Sequence, residues 1–422
     1  MFVIRRAKMD DVATLLKLAK MVHFINLPPD KEIITEKIFN SRRSFEKAAG
    51  VRRKEVKERR HSGSGGISEK TASADLFMFV LDSTDSQGCL GTSQIVSQMG
   101  GEGAPNVCFK LEHREKYSSA LKFGISTAVA RMYLDESGPT EIGGLIMQPS
   151  FRGHPQKLGK FVSLVRFHFV GLHRRLFRPT VLAEMMAPIT SEGESLVWDA
   201  LGRRFIPLSY EEADRFCQYS REFMTSLLPH GDIHLSLLPP EVRSQFGEVG
   251  PETLPARRML EKLGFGYHDF VDPFDGGPYL TANTGDISIV KGTRKVRLGE
   301  IVPASGASGM GIVSVLHKDG EFAAVQTAYA IDRAGKLRLP REAMEALHAL
   351  SGMEAGFTPT DGDAAGAVKK TGKRSGKKSA KKTTQKAASK AGKKTAKKTA
   401  KKTVKKSVGK GAKKSGARRG AK

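Results

Sequence analysis

The sequence predicts a mixed α/β (α+β) fold with a mixed central sheet, followed by a small β-rich domain and a basic tail. Three observations carry this prediction. Runs rich in β-branched and aromatic residues alternate with segments whose apolar residues lie three and four apart, as in packed strands and helices. Short strand-like runs with glycine turns dominate after Gly285. A lysine-rich repeat without aromatic residues then closes the chain.

The chain begins with a predicted strand and helix. Phe2 and Ile4 alternate with polar residues, and Asp10 and Asp11 are residue types that cap helices. The apolar positions that follow share one helical face: Val12, Leu15, Leu16 and Ala19. Segment 41–74 then turns basic and later rich in Gly and Ser, so we expect an insertion made of a solvated helix and a mobile loop.

Strands are predicted next, and together they indicate a mixed sheet. They are LFMFVL from Leu76, LGTSQIV from Leu90, a stretch around 107–111, and EIGGLIM from Glu141. Apolar spacing then predicts a helix between Lys157 and Phe177, and TVLAEMM from Thr180 predicts a further strand. The loop before this helix lies at the carboxyl end of a strand, where open α/β sheets bind ligands.

The remaining elements suggest where the domains divide. A helix is predicted from Pro255 to Leu263, with Gly264 ending it, and GYHDFVD resumes as a strand. The runs ISIVKG, KVRLGEIV, GIVSVLH and FAAVQTAYAI predict short strands. We therefore expect one domain over 1–285, a small β-rich domain over 286–356, and a disordered Lys-rich tail over 357–422, which cannot bury enough apolar surface to fold.

The positive charge of the protein belongs to this tail. The formal net charge is +26, but 24 Lys and Arg and no acidic residue lie between Lys369 and Lys422, which leaves +2 for the preceding residues. A flexible polycation binds nucleic acid by counterion release, so non-specific nucleic acid is an expected accessory partner of residues 369–422. A solubilising tail without a partner is the alternative.

Cysteine usage and hydropathy indicate a cytoplasmic protein. The three cysteines lack C-x-x-C spacing, so neither a disulfide framework nor a structural metal site is expected. No run of roughly 18 apolar residues and no export signal are found in the sequence, so we expect no membrane association. We also expect a homo-oligomer.

The loop FRGHPQKLGK, from Phe151 to Lys160, is suited to bind an anion. It offers backbone N–H groups at a helix N-terminus together with Arg152, Lys157 and Lys160, with Gly159 between the lysines. Such a loop resembles the pyrophosphate loop of the GNAT acyltransferase superfamily. The segment PARRMLEKLGF from Pro255 is likewise similar to the helix that ends many GNAT domains.

The resemblance narrows to one family. The segments IMQPSFRG, VLAEMM, WDALGRRF, LLPPE, GEVGPET, PARRMLEKLGF and DPFDGGP recur in this order in arginine N-succinyltransferases, over roughly residues 1 to 350. This resemblance implies a GNAT-like fold and transfer of a succinyl group from succinyl-CoA to the α-amine of arginine, in arginine catabolism. Some relatives also accept ornithine. Succinyl-CoA is then the acyl donor, and no metal is implied.

Candidate site residues follow from the resemblance and from the chemistry. Leu145 matches a family position credited with succinyl-CoA contact, and backbone N–H groups near Gly144 and Leu145 are suited to polarise the thioester carbonyl. Glu184, in an otherwise apolar strand, is a candidate for substrate binding or general base. The alternative for Glu184 is a structural salt bridge with Arg203 or Arg204.

Arginine and succinate together present a guanidinium and carboxylates, so a pocket with both acidic and basic groups is expected. Asp272 and Asp275, which flank Phe274, and the pair Arg203 and Arg204 are therefore candidate substrate-binding residues. The alternative for Asp275 is a turn that its side chain closes by bonding the backbone.

The chain departs from the family pattern at three places. Gly250 in GEVGPET replaces the proposed proton-donor histidine, which leaves His230 as the candidate catalytic histidine, with His234 and His268 as further possibilities. Leu260 replaces the tyrosine that serves as general acid in many GNAT enzymes. The anion loop also has its glycine seven residues after Arg152, and Pro155 removes one amide donor. An acyltransferase for another amine or for protein lysines therefore stays an alternative.

Overall fold

The computed structural model describes residues 1–20, 27–51, 74–85, 88–303 and 306–360. The predicted nucleic-acid partner segment 369–422 lies outside the described residues, as do most of the predicted insertion and of the predicted tail. The mixed α/β class with a mixed sheet is confirmed.

Most of the described chain is organised around one sheet. Its strands are β1 (Phe2–Arg6), β2 (Leu76–Ser83), β3 (Gly91–Val96), β4 (Asn106–Ser118), β5 (Phe123–Asp135), β6 (Thr140–Met147), β7 (Thr180–Glu184), β8 (Ile233–His234), β9 (Gly266–Val271), β10 (Pro278–Asn283), β11 (Arg294–Arg297), β12 (Gly309–Leu316), β13 (Phe322–Ile331), β14 (Leu337–Arg338) and β15 (Glu354–Pro359). The spatial order is β11-β15-β12-β13-β1-β2-β3-β6-β7-β10-β9-β4-β5-β8, and β14 pairs with β13.

The helices are mostly short and fill the connections between strands. They are α1 (Val12–Lys20), α2 (Lys31–Ala48), α3 (Leu158–Leu172), α4 (Leu196–Ala200), α5 (Tyr210–Phe216), α6 (Glu222–Leu227), α7 (Pro240–Arg243), α8 (Leu254–Leu263), α9 (Ser288–Gly292) and α10 (Arg341–Ala346). None of the helices in the described residues is long and apolar enough to cross a bilayer.

Strand β2 shows why its sequence is apolar without alternation. Phe77 and Phe79 pack into the core cluster that contains α3, whereas Met78 and Val80 pack into the cluster that contains α1. Because both faces of β2 are covered, both sets of side chains are buried, and a continuous apolar run results. The layer of α3 on one face of this sheet positions the loop between β6 and α3.

Several local predictions differ from the structure. The run ISIVKG is a short helix, α9, and not a strand; a short apolar run does not by itself distinguish the two. The start of the predicted solvated insertion belongs to α2, where Phe45 is fully buried among other phenylalanines. Of the long hairpin formed by β4 and β5, the sequence predicts only the stretch around 107–111 as a strand. The last strand continues to Pro359, past the predicted start of the tail at Phe357.

The predicted boundary between 1–285 and 286–356 stays a prediction. The strands on either side of this boundary share one sheet, since β13 pairs antiparallel with β1, with Val325 opposite Val3. Residues 298–357 nevertheless supply the buried side chains of a separate core cluster, in which Val313, Leu347 and Phe357 are fully buried and against which Met1 and Val3 of β1 also pack.

Phe169 provides a test of how α3 packs on the sheet. It is fully buried, with ring centroids of Phe77 and Phe322 at 4.8 and 5.5 Å. Phe169→Ala is expected to lower the free energy of unfolding by about 3–5 kcal/mol in urea denaturation. Phe205→Ala is the matched control, because Phe205 is 44% exposed, and its loss should cost less than about 1 kcal/mol. Equal losses would contradict the assigned core.

Candidate active site

Two neighbouring parallel strands separate and open a cleft. Strands β6 and β7 pair only at Thr140 with Val181 and at Glu141 with Leu182. Beyond these pairs both strands line a cavity of about 1290 Å³, together with the loop after β6, α3 and α8. The backbone groups of β6 that face β7 therefore border the cavity without a strand partner, and a ligand with amide groups can pair with them.

A bulge in β6 lies in the same place. Thr92 of β3 pairs with Ile146 and Gln94 pairs with Gly143, so β6 contains one residue more than β3 between these pairs. Gly144 in the bulge has a φ of 57°, and a Cβ there would come within 3.1 Å of the Gln94 side chain. The bulge takes backbone amides of β6 out of the regular ladder beside the cavity. This is the position of the predicted Gly144 and Leu145 amides, and both residues line the cavity.

The anion loop lies at the other end of the same cavity wall. Arg152, Gly159 and Lys160 line the cavity, whereas Lys157 does not. Lys157 is the residue before α3 and has a left-handed backbone, with a φ of 53°. The first amides of α3 have no partner within the helix and, with the two basic side chains, favour an anion. Arg258 and Lys262 of α8 also line the cavity and add positive charge.

Glu184 ends β7 and lines the cavity. Its Oε1 accepts a hydrogen bond from Asn106 Nδ2 at 3.5 Å, and Asn106 Oδ1 accepts one from Arg221 at 2.5 Å. Burial lowers the pKa of Arg221, but the Cys217 thiol and Glu184 raise it, with a net increase. Glu184 is thus held by Asn106, which Arg221 holds in turn, and Arg203 pairs with Asp199 instead.

Asp272 and Asp275 are buried at the same end of the cavity. Asp272 accepts from the Phe274 amide at 2.7 Å and from the Tyr279 hydroxyl at 3.1 Å. Asp275 accepts from the backbone amides of Gly277 at 2.7 Å and Ala187 at 2.9 Å. The hydrogen bond from the Gly277 amide closes the turn that the sequence predicts for Asp275. The same carboxylate also lines the cavity.

Burial raises the pKa of both aspartic acids. The Asp272 pKa lies well above its usual range because of burial, and then because of the charges of Asp275 and Glu184. Burial also raises the Asp275 pKa, to about 6, although its two backbone hydrogen bonds lower it. Since the folded-state pKa of Asp275 is raised, its contribution to stability is present below about pH 4 and is lost as the pH rises through about 6, and the raised pKa of Asp272 acts in the same direction.

Other predicted site residues lie away from the cavity. Arg203 and Arg204 are exposed, and Arg203 pairs with Asp199 at 3.0 Å. His230 is exposed and bonds the Thr225 carbonyl at 2.7 Å. Gly250 is buried, and its amide donates to Met186 O at 2.9 Å. Among the described residues no histidine lines the cavity.

Sequence reasoning did not identify several cavity residues. They are Arg166, Glu252, Arg258 and Lys262, and behind them Asn106 and Arg221. Arg166 offers one sequence signal, because a charged residue within the apolar run FVSLVRFHFV is costly to bury without a reason. The other five stand in polar segments where nothing distinguishes them.

Comparisons with known proteins agree on one family. Residues 2–289 match the family model described as arginine N-succinyltransferase beta subunit (AstA). The arginine N-succinyltransferase of Citrobacter koseri is 30% identical over 314 residues, which cover 73% of this chain and 83% of that protein. That of Yersinia pestis (strain Pestoides F) is 33% identical over 220 residues, which cover 52% of this chain.

A solved structure shares the fold. The arginine/ornithine succinyltransferase subunit AI from Pseudomonas aeruginosa is 25% identical, with a TM-score of 0.68, over 85% of this chain and 98% of that chain. The match to the Yersinia pestis relative spans 62% of that relative's length.

The hydrogen bonds of Asp272 and Asp275 predict opposite responses to amidation. An asparagine at 272 can keep both contacts, since its oxygen accepts from the Phe274 amide and its NH2 can donate to the Tyr279 hydroxyl oxygen once that hydroxyl rotates. At 275 an NH2 group would face a backbone N–H, because both oxygens accept from amides. We expect Asp272→Asn to cost less than about 1 kcal/mol in urea denaturation at pH 7, and Asp275→Asn about 1–3 kcal/mol. The reverse order would contradict these hydrogen-bond assignments.

Proposed function

Because the chain belongs to the arginine N-succinyltransferase family, we propose that it transfers a succinyl group from succinyl-CoA to the α-amine of arginine, with ornithine as a second acceptor. One observation carries the proposal. A single cavity joins a basic loop at a helix N-terminus and a strand edge without a strand partner to a group of three acidic side chains. These are the surfaces that a CoA diphosphate, a pantetheine arm and a cationic amino acid require.

The donor is proposed to lie along β6. Its diphosphate binds at Arg152, Lys160 and the N-terminus of α3, and its pantetheine amides pair with the β6 backbone that faces β7. This places the thioester carbonyl near the bulge at Gly144 and Leu145, whose amides are assigned to stabilise the developing oxyanion. Gly159 allows close approach at the helix start, and Lys157 contributes charge from the rim.

The acceptor is proposed to lie at the carboxylate end. Glu184 takes the proton from the α-ammonium, which frees the nitrogen lone pair to attack the thioester carbon. The C–N bond forms, the tetrahedral oxyanion collapses, and the C–S bond breaks to release the CoA thiolate. Asp275 and Asp272 are assigned to the guanidinium side of the acceptor. The predicted substrate roles of Arg203 and Arg204 stay predictions, since both lie outside the cavity lining.

The CoA thiolate must be protonated after it leaves. The two positions at which the family pattern has a proton donor hold Gly250 and Leu260 in this chain. Gly250 carries no side chain, and Leu260 in the cavity wall cannot donate. The predicted role of His230 stays a prediction. We assign the proton to solvent water at the open side of the cavity, and the proton removed by Glu184 returns to solvent. CoA thiolate is a good leaving group, so the reaction can proceed without a strong general acid.

Cytoplasmic location and assembly are further parts of the proposal. The three cysteines, Cys89, Cys108 and Cys217, are free and buried, which supports a reducing compartment. The solved relative is named as a subunit, and the tip of the β4–β5 hairpin exposes Tyr117, Leu121 and Phe123 by 61–77%. An exposed apolar tip supports a homo-oligomer.

Sedimentation of the purified chain tests this assembly. We expect a multiple of the 45.9 kDa chain mass, and Leu121→Glu with Phe123→Glu should shift the protein toward the monomer, because a charge cannot be buried unpaired. A wild-type monomer at all concentrations would contradict it.

A donor and acceptor panel tests the activity. Free thiol release is measured from succinyl-CoA and acetyl-CoA with arginine, ornithine, lysine and a lysine-rich peptide. We expect the highest kcat/KM for succinyl-CoA with arginine. Preference for the peptide would contradict the proposed acceptor and favour a protein-lysine acyltransferase.

Glu184→Gln tests the base. We expect kcat to fall by about 100-fold or more, because the amide cannot accept the ammonium proton, with an unchanged melting temperature. Glu241→Gln, at an exposed position outside the cavity, is the control. If activity persists in Glu184→Gln while stability falls, Glu184 is structural.

A further inference from the structure

Arg166 is a buried cation without a counter-charge among the residues that the structure describes. It lies in the middle of α3, is 3% exposed, and lines the cavity. Its Nε donates to Ser163 O at 3.1 Å, one terminal nitrogen to Ser163 Oγ at 2.6 Å, and the other to Gly143 O at 3.4 Å. All three acceptors are neutral. A guanidinium has five N–H donors, so one N–H on each terminal nitrogen is left for another acceptor.

No acidic residue of the described chain compensates this charge. Burial alone lowers the pKa of Arg166, to about 9, and no neighbouring carboxylate raises it again. Arg166 therefore carries its charge at neutral pH. Arg5 shows the usual arrangement in this protein, because it is paired with Asp11 at 2.8 Å and with Asp82 at 2.7 Å. An uncompensated buried charge is costly to the fold, which favours a role in binding.

The position of Arg166 is at the closed end of the cleft. Its partner Gly143 lies two residues beyond Glu141, the last residue of β6 that pairs with β7, and directly before the bulge at Gly144. Arg152 and Lys160 lie at the other end of the wall, where α3 begins. A donor bound with its diphosphate at the helix start directs its acyl chain toward the point where the strands meet.

From this juxtaposition we infer that Arg166 binds the free carboxylate of the acyl group, and that it selects dicarboxylic acyl donors over neutral ones. This inference rests on the proposed function and names the residue behind its donor specificity. The two remaining N–H donors of the guanidinium match the two oxygens of a carboxylate. Ser163 and Gly143 hold the guanidinium in place before the donor binds, which reduces the entropy lost on binding.

The test compares succinyl-CoA with butyryl-CoA, which has an acyl chain of the same length without the carboxylate. We expect Arg166→Gln to lower the ratio of kcat/KM for succinyl-CoA to kcat/KM for butyryl-CoA by about 10- to 100-fold. Arg166→Lys keeps the charge but loses the paired donors, so its ratio should lie between those of the wild type and of Arg166→Gln. Because the ratio does not depend on the fraction of folded enzyme, a partly unfolded variant still gives an answer.

Arg174→Gln is the matched control, since Arg174 also bonds neutral carbonyls, those of Phe177 and Arg178, but does not line the cavity. It should leave the ratio unchanged. Arginine is compared with agmatine, which lacks the α-carboxylate, in the same variants. An equal fall in kcat/KM for both acyl donors would show that Arg166 is structural. A change only in the ratio of kcat/KM for arginine to that for agmatine would assign Arg166 to the acceptor. Either result overturns the inference.

Failure of the proposed function has a different signature. If the wild type releases no thiol from succinyl-CoA with any amine, transfer is not its reaction, and equilibrium binding then tests Arg166. Calorimetry should still show tighter binding of succinyl-CoA than of butyryl-CoA, by about 10- to 100-fold, with the difference lost in Arg166→Gln. Equal wild-type affinity for the two donors would overturn the inference.

Discussion

The separation of β6 from β7 is the constraint on which the site depends. Hydrogen bonding between the two strands ends after Glu141 and Leu182, and the bulge at Gly144 then turns β6 further out of its ladder with β3. Backbone amides that would be satisfied in a continuous sheet therefore border a cavity. Helix α3, packed on the sheet through Phe169, brings the anion loop to one end of this cavity, and the β9–β10 turn brings Asp272 and Asp275 to the other.

Charge is distributed unevenly along this cavity. Basic groups without an acidic partner in the described part of the chain line the side of α3 and α8, whereas three acidic side chains lie together at the end of β7 and in the β9–β10 turn. Each acidic group is costly to bury alone, and the protein offsets the cost in three ways. Glu184 is bonded by Asn106, which Arg221 holds, and Asp275 accepts from two backbone amides. The pKa of Asp272 is raised, which favours its neutral form. Arg166 lacks such compensation, which suggests that its ligand supplies it.

The sequence predicted the local elements well where one physical signal dominated. The apolar stripe of α3, Gly264 at the end of α8 and the loop before α3 were predicted correctly, because periodicity, left-handed backbone and position after a strand each leave a direct pattern. The α9 helix and the buried Phe45 were missed, since both depend on packing against distant residues. For the same reason the alternative for Glu184, a salt bridge with Arg203 or Arg204, names the wrong partners: Arg221 lies far along the chain from Asn106, and only the fold brings them together.

A crystal structure with bound CoA tests the central claim most directly. The account predicts pantetheine amides paired with the β6 backbone between Gly143 and Met147, and the diphosphate at the N-terminus of α3 beside Arg152 and Lys160. Density for CoA outside the β6–β7 cleft, or a cleft closed by direct pairing of the two strands beyond Glu141 and Leu182, would contradict it.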